Sequence, residues 1–319
     1  VKSEELVRCE AAGVTMGLLV QSDMATPCIN ELGTKEQKEE FLRPALAGER
    51  IAALGVSEPG AGSDVAGIRT TAKKDGDDYV INGSKTYITN GTRADFVTLL
   101  VKTDPDAGYG GISILLFPTD TKGFAVSKKL EKIGNHASDT AELFFEDCRI
   151  PQRYLLGEEG KGFYYLMQNF QSERLIGATS TLAGARRALD RSVAYGKERK
   201  AFGKPIMARE VWKHTFADLY TKAEAAKSLC YETVADFNEE RYVKGTEISM
   251  ETVKKIAMCK LFVGDVANEI MDTCLQFHGG MGYLEELWVA RAWRDQRLFR
   301  IGGGTSEVMK YMIAKIMGW

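Results

Sequence analysis

The stretch Leu54-Gly55-Val56-Ser57-Glu58-Pro59-Gly60-Ala61-Gly62-Ser63-Asp64 carries the residue types that hold a flat, anionic ligand. Three glycines and a proline open backbone conformations closed to other residues, so main-chain N–H groups can approach a ligand closely, and Ser57 and Ser63 add hydroxyls. That chemistry is cofactor binding. Taken alone, the segment reads equally well as a Gly-rich surface turn. The other chemistry-bearing residue types point nowhere specific. His136, His214 and His278 lack metal-ligand spacing and read as packing or capping residues, so no metal is expected. Six scattered cysteines show no paired spacing for zinc or a redox dithiol and read as reduced, mostly packed thiols. Met250, Met258 and Met271 read as core.

The elements that must position the loop fall into three stretches. Residues 1–50 are helical in pattern, with Leu6, Val7, Ala11 and Val14 on one face and Gly33-Thr34-Lys35-Glu36-Gln37 suited to a cap before Phe41-Leu42. The period then changes. Tyr79-Val80-Ile81 and Tyr87-Ile88 flank Asn82-Gly83, a tight-turn signal, and residues 96–101, 112–117 and 141–145 are further strand candidates, which predicts a small antiparallel β domain. From about Gly160 the helical period returns. Met250, Val253, Ile256, Ala257, Leu261, Gly264, Ala267, Met271 and Cys274 recur at three- and four-residue steps and stop at Gly279-Gly280, which predicts an antiparallel helical bundle.

Composition bounds the function. A chain of 319 residues, 44% hydrophobic and 27% charged, is large enough for two or three domains with substantial cores. A net charge of -2 with both signs interspersed leaves no footprint for nucleic acid. No apolar run approaches the roughly 20 residues that span a bilayer, so no stable membrane insertion is expected. The start Val1-Lys2-Ser3-Glu4-Glu5 lacks a secretory pattern, which points to a soluble intracellular protein. A bacterial cytoplasm is the compartment expected, and a mature mitochondrial matrix form fits the same composition.

With Tyr87-Ile88-Thr89-Asn90-Gly91 following it, the Gly-rich loop resembles the flavin-binding signature of the acyl-CoA dehydrogenase family. Further motifs stand in the family's order: Ile133-Gly134 with Ser138-Asp139-Thr140, Phe145-Glu146-Asp147-Cys148-Arg149-Ile150-Pro151, Glu198-Arg199-Lys200-Ala201-Phe202-Gly203, Gln276-Phe277-His278-Gly279-Gly280-Met281-Gly282-Tyr283 and Gly302-Gly303-Gly304-Thr305-Ser306-Glu307. The resemblance covers essentially the whole chain. It implies a mainly α fold with a central β domain: a partial N-terminal helical domain over 1–51, a β-barrel-like antiparallel domain over 52–158, and a C-terminal four-helix bundle over 159–319, with flavin at their junction. Family members carry further helices ahead of the segment that starts here, so the first part of the N-terminal domain is expected to be missing from this chain.

Dehydrogenation across the Cα–Cβ bond of an acyl thioester needs a base for the α-proton, an oxidant for the β-hydride and donors for the developing enolate. In many family members the base directly precedes the Gly-Thr near the C-terminus, where this chain has Gly303. Glu173, in Gln171-Ser172-Glu173-Arg174-Leu175, occupies the alternative base position of the long-chain and isovaleryl-type members. The resemblance thus makes Glu173 the base, and Gly303 an N–H donor to the thioester carbonyl alongside a flavin ribityl hydroxyl. A Glu paired with a neighbouring cation on a helix is the plainer reading of Glu173-Arg174. The FAD contacts implied are Leu54, Val56, Ser57, Gly62 and Ser63, then Tyr87 and Ile88, with Thr89 near flavin N5. Ser63, Arg174 and Gly304 are implied at the substrate, with Thr305 and Ser306 completing the flavin surroundings. Arg199 and Phe202, and Gln276 with Gly279 and Gly280, resemble segments that reach the FAD of a neighbouring subunit, which implies a homo-oligomer, tetramer or dimer. Glu210 stands where relatives often have Gln near the adenine. The implied electron acceptor is an electron-transfer flavoprotein, and the base position suggests a long-chain or branched acyl-CoA. A flavin monooxygenase or oxidase on this scaffold, and a truncated non-catalytic CoA-binding assembly protein, are the competing readings.

Overall fold

The computed structural model describes residues 1–319. They form two compact units, one of Val1–Thr15, Ile133–Asn135 and Glu173–Trp319, the other of Met16–Lys132 and His136–Ser172.

The N-terminal stretch is a series of short helices, α1 (Lys2–Glu5), α2 (Ala12–Leu19), α3 (Pro27–Leu32), α4 (Lys35–Gln37) and α5 (Arg43–Ala47). No continuous apolar face runs through Leu6, Val7, Ala11 and Val14. Glu10 adopts a left-handed conformation at φ 57° that interrupts the helical path, and Val14 lies exposed while Thr15 and Leu19 turn inward. The cap at Thr34 forms as expected: its hydroxyl accepts from the Gln37 N–H at 3.2 Å, and the Gln37 side chain accepts from the Thr34 N–H at 3.0 Å. That box starts the turns that bury Phe41 against Phe96 and Tyr154.

The β unit holds β1 (Ala52–Gly55), β2 (Thr71–Asp75), β3 (Asp78–Thr89), β4 (Phe96–Lys102), β5 (Ile112–Pro118), β6 (Phe124–Lys129), β7 (Thr140–Pro151) and β8 (Leu155–Leu156). Their order is β6-β7-β3-β2-β4-β5-β8, with β1 pairing β4. All pairings are antiparallel except β1 and β2 against β4. β4 and β5 are buried along almost their whole length, as continuous apolar runs covered on both faces should be.

Asn82-Gly83 is not a turn. Tyr79 to Ile88 lie on one strand, and the chain reverses at Gly76-Asp77, between the paired residues Asp75 and Asp78. Gly83 serves close packing instead: a Cβ there would stand 2.6–2.8 Å from Thr70. Asn82 pairs through its side chain with Asp147, at the extra residue that β7 inserts between its pairings with Ile81 and Gly83. A second irregularity inserts one residue into β3 between Lys85 and Ile88. It lets Lys85 and Thr86 both face inward and turns Tyr87 out, at φ 62°.

The helical unit contains α6 (Gly162–Glu198) from Glu173 onward, the small hairpin of β9 (Lys200–Ala201) and β10 (Lys204–Pro205), α7 (Glu210–Asn238), α8 (Met250–Phe277), α9 (Trp288–Gln296) and α10 (Ser306–Met317). Each long helix buries a stripe of period 3.6. On α7 it is Phe216, Leu219, Ala223, Ala226, Cys230, Thr233 and Phe237. On α8 it passes through Ile256, Lys260, Val263, Ala267, Ile270 and Cys274, so a lysine occupies a core position. Met250, expected in the core, opens α8 and is exposed, whereas Met271 is buried. Glu10 ties the first residues to this unit through Arg187 and Arg191, each at 2.7 Å.

Candidate active site

In the β unit, β1 leads directly into the Gly-rich loop. Leu54 is half-buried, Val56 is buried, and Ser57 is half-buried beside the exposed Gly62 and Ser63. The loop is held by a buried ion pair that the sequence reading did not single out. Lys85 Nζ donates to Glu58 Oε1 at 2.7 Å and to the Val56 carbonyl at 3.1 Å. Glu58 also accepts from the N–H groups of Arg69 (2.6 Å) and Thr70 (3.0 Å). Burial works against the Glu58 charge, yet Lys85 and these donors outweigh it and hold the carboxyl below its ordinary range. Burial draws Lys85 down to about 8 against the pull of Glu58.

The Thr86 N–H, freed by the irregularity in β3, donates to the Ser57 carbonyl at 2.9 Å. Because the Val56 carbonyl points to Lys85, the Ser57 N–H across the same trans peptide points away from it. Neither this N–H nor Ser57 Oγ is used within the chain, and Gly60 and Gly62 leave open space where side chains would stand. A pair of unspent donors beside an open backbone fits the acceptor-rich edge of a flavin ring. Thr89 closes β3 half-buried, whereas the Ile88 side chain is in the core, leaving only its backbone available.

In the helical unit, Glu173, Arg174, Gly303, Gly304, Thr305 and Ser306 come together. The 3-10 turn over Arg297–Arg300 sets the Phe299 ring close to α6 and α8, where a Cβ on Gly177 would be 3.0 Å and one on Gly264 3.7 Å from it. The chain then turns through Gly303 (φ 65°) and Gly304 (φ 97°) into α10, whose N-cap Thr305 accepts from the Val308 N–H. Arg174 Nε donates to the Gly303 carbonyl at 3.1 Å, and Lys260 Nζ donates to the Gly304 carbonyl. A side chain on Gly303 would begin 3.5 Å from Glu173 Oε1. Glu173 Oε2 is buried without a hydrogen-bond partner. Burial pushes this carboxyl up to about 7, against the opposing charges of Arg174 and Lys260. Burial and then Arg174 draw Lys260 down to about 8, with Glu173 and Glu307 pulling the other way.

The remaining candidates gather elsewhere in the same unit. The exposed Phe202 lies in the β9–β10 hairpin with the exposed Arg199 just ahead of it, and Gln276 lies at the end of α8 with Gly279 and Gly280 in the 3-10 turn that follows. Tyr195 stacks on His278 at 4.4 Å, which brings the two segments to one end of the helices. Roughly 37 Å of α6 separates Glu173 from Glu198, so this copy does not join them to the Glu173 cluster. Glu210 opens α7, where Lys213 at 2.7 Å and the helix start hold its charge. His278 is buried with Nδ1 2.7 Å from the Cys274 carbonyl, and His136 Nε2 lies 2.7 Å from the Lys132 carbonyl.

Both signals missed in the sequence were periodic. Lys85 keeps the inward parity of Tyr79 and Ile81, and Lys260 lies four residues after Ile256 and three before Val263, on one apolar stripe. A lysine in phase with core positions is costly to bury without a function or a partner.

Sequence profiles for the acyl-CoA dehydrogenase N-terminal, middle and C-terminal domains match residues 1–49, 53–148 and 160–318. The chain is 40% identical to the mitochondrial long-chain specific acyl-CoA dehydrogenase of Mus musculus over 301 residues, 94% of this chain and 68% of that protein. It is 36% identical to the mitochondrial isovaleryl-CoA dehydrogenase of Oryza sativa over 291 residues, 90% of this chain and 69% of that one. The crystal structure of a probable acyl CoA dehydrogenase from Mycobacterium abscessus superposes with a TM-score of 0.93 at 40% identity, covering 99% of this chain and 81% of that one. The fold is that of a flavoprotein oxidoreductase. The chain belongs to the acyl-CoA dehydrogenase family.

Proposed function

We propose that the protein is an FAD-dependent dehydrogenase that converts an acyl-CoA to a trans-2-enoyl-CoA, with Glu173 taking the α-proton as hydride leaves Cβ for flavin N5. The observation that carries this reading is the Glu173 carboxyl, with one oxygen buried and unpartnered and the other beside the empty side-chain position of Gly303. A carboxyl pushed up to about 7 is half ionised near neutral pH and strong enough as a base once ionised. Gly303 would supply its N–H to the thioester carbonyl. Arg174 and Gly304 would line the substrate side, with Thr305 and Ser306 next to them. A bound flavin supplies the oxidant for the hydride. Ser57 would hold the ring edge through its N–H and hydroxyl, with Leu54, Val56, Gly62 and Ser63 along the loop and Tyr87, Ile88 and Thr89 along β3.

Arg199, Phe202, Gln276, Gly279 and Gly280 would serve the FAD of a neighbouring copy in a homotetramer or dimer, an assignment supported by their distance along α6 from Glu173. We assign a long-chain or branched acyl-CoA as substrate, from the base position and the likeness to long-chain and isovaleryl enzymes. The electrons would pass to an electron-transfer flavoprotein. No helix is long and apolar enough to cross a membrane. The compartment we favour is a bacterial cytoplasm, with a mature mitochondrial matrix form as the alternative. The domain division we adopt is 1–51, 52–158 and 159–319.

Anaerobic titration with palmitoyl-, octanoyl-, butyryl- and isovaleryl-CoA, following the oxidised-flavin absorbance, tests the reading. One acyl class should bleach the flavin, and Glu173→Gln should keep flavin bound while slowing reduction by about 10²–10⁴-fold. Full reduction by that variant removes Glu173 from the chemistry. Flavin that only oxygen turns over would indicate an oxidase or monooxygenase, and a folded protein that binds acyl-CoA without flavin would indicate a non-catalytic role.

A further inference from the structure

We propose that Lys260 is a positioning residue for the dehydrogenation, its ammonium group aligning the Gly303-Gly304 turn and setting a positive charge against the Glu173 carboxylate. The proposal rests on Glu173 being the base.

Three observations place Lys260 in this role. Its side chain is buried on the apolar stripe of α8, and it spends a hydrogen bond on the Gly304 carbonyl rather than on a carboxylate. Arg174, on α6, holds the preceding carbonyl, that of Gly303, at 3.1 Å. Two buried cations from two helices therefore fix two consecutive peptide planes in a turn whose glycines have no intrinsic preference for this conformation. In a trans peptide the N–H points opposite to the carbonyl, so fixing these carbonyls directs the N–H groups of Gly304 and Thr305 away from Arg174 and Lys260. The Phe299 ring lies 5.2 Å from Lys260 Nζ and covers the ammonium on another side.

The charges around Glu173 make the second half of the argument. From α6 comes Arg174, and from α8 comes Lys260; on α10 Glu307 draws Lys260, and Arg300 beside it is paired with Asp265 at 3.1 Å. Glu173 is thus one carboxylate facing two buried cations. Protonating it during catalysis removes a nearby negative charge from both cations, while Glu307 continues to draw Lys260. The arrangement favours a transition state in which that negative charge has moved to a thioester oxygen on the Gly303 N–H, one peptide before the two planes that Arg174 and Lys260 hold. Lys260 would act both before the reaction, by keeping Glu173 ionised, and during it, through the turn.

The test is single-turnover flavin reduction from pH 5.5 to 9 in the holoenzyme, using whichever acyl-CoA of the panel above bleaches the flavin. Parent, Lys260→Met, Lys260→Gln and Lys260→Arg would be compared at matched flavin content. In the parent the rate should rise with pH as Glu173 ionises, and flatten or fall above about 8, where Lys260 gives up its charge. In Lys260→Met that rise should move up by about one pH unit, the size expected for losing a nearby opposite charge, with a limiting rate several-fold lower. Lys260→Gln, which keeps a donor without the charge, should show the same displacement, and it carries the test if the Met variant does not fold. Lys260→Arg, charged across the whole range, should restore the parent's rise. A rise unmoved in both Met and Gln variants overturns the proposal, as does an Arg variant displaced as far as Met. Glu173→Gln run alongside keeps the two ideas apart: a parent-like rate and profile in that variant removes the base assignment itself, whatever Lys260 does.

Discussion

Glu173 is held in two opposing fields, burial raising its proton affinity and two cations lowering it, and burial prevails. The consequence extends to stability. A carboxyl that titrates near 7 when folded and at its ordinary 4.5 when unfolded costs the fold nothing below 4.5. The folded state binds the proton more tightly, so stability falls as pH rises from 4.5 to about 7 and the loss is complete above that. Glu173→Gln removes the titration. Its unfolding free energy should exceed that of the parent at pH 8 by an amount on the order of 2 kcal/mol, with a correspondingly higher thermal midpoint, and match it near pH 4.5. Differential scanning calorimetry at the two pH values decides it, and an equal difference at both would mean that the gain has another origin.

The loop after β1 depends on β3, because Lys85 spans from that strand to both Glu58 and the Val56 carbonyl. Removing one partner leaves the other charge buried and unpaired, which costs about 3–5 kcal/mol in comparable sites, whereas removing both charges is far milder. Lys85→Met is therefore expected to lower stability by that amount and to lose flavin on gel filtration. Lys85→Met with Glu58→Gln should recover most of the stability. Denaturant unfolding and the 450/280 nm absorbance ratio measure the two effects, and a single variant with parent-like stability and full flavin would show that the pair does not hold the loop. The turn into α10 has a similar dependence. A Cβ on Gly304 would stand 2.8 Å from Met309 Cε at φ 97°, so Gly304→Ala should cost about 1–3 kcal/mol, read by the same unfolding curves.

The end of the helical unit that carries Arg199 and Gln276 also exposes Phe202 almost completely, and Tyr283 at 87%. Large aromatic side chains left open beside glycines and an arginine are what an interface between copies would cover. The assembled protein should run in light scattering at a multiple of the chain mass. Phe202→Ser with Tyr283→Ser should lower that mass and the flavin content together. A flavin-replete single chain would contradict the sharing of cofactor between copies.

Helix stripes, the Thr34 cap and three of the strand candidates were readable because each depends on neighbours within a turn or two of chain, and the ordered motifs carried the family. The loop from Leu54 to Asp64 and the Glu173–Gly303 exchange were visible as residue types in known order. What the chain could not declare locally was that the Asn82-Gly83 turn signal would go unused. Gly76-Asp77 became the reversal and Asn82-Gly83 ran through β3, because continuing the ladder to β7 and packing Thr70 against Gly83 outweigh a local turn preference. Nor could it declare what the lysines at core positions meet. Lys85 and Lys260 are in phase with buried residues in the sequence, but the acceptors that make their burial tolerable lie 27 and 44 residues away. The sequence determined the elements and the chemical types, since those follow from local periodicity. The tertiary structure alone decided which buried charges face one another, since that requires distant segments to meet where water is excluded.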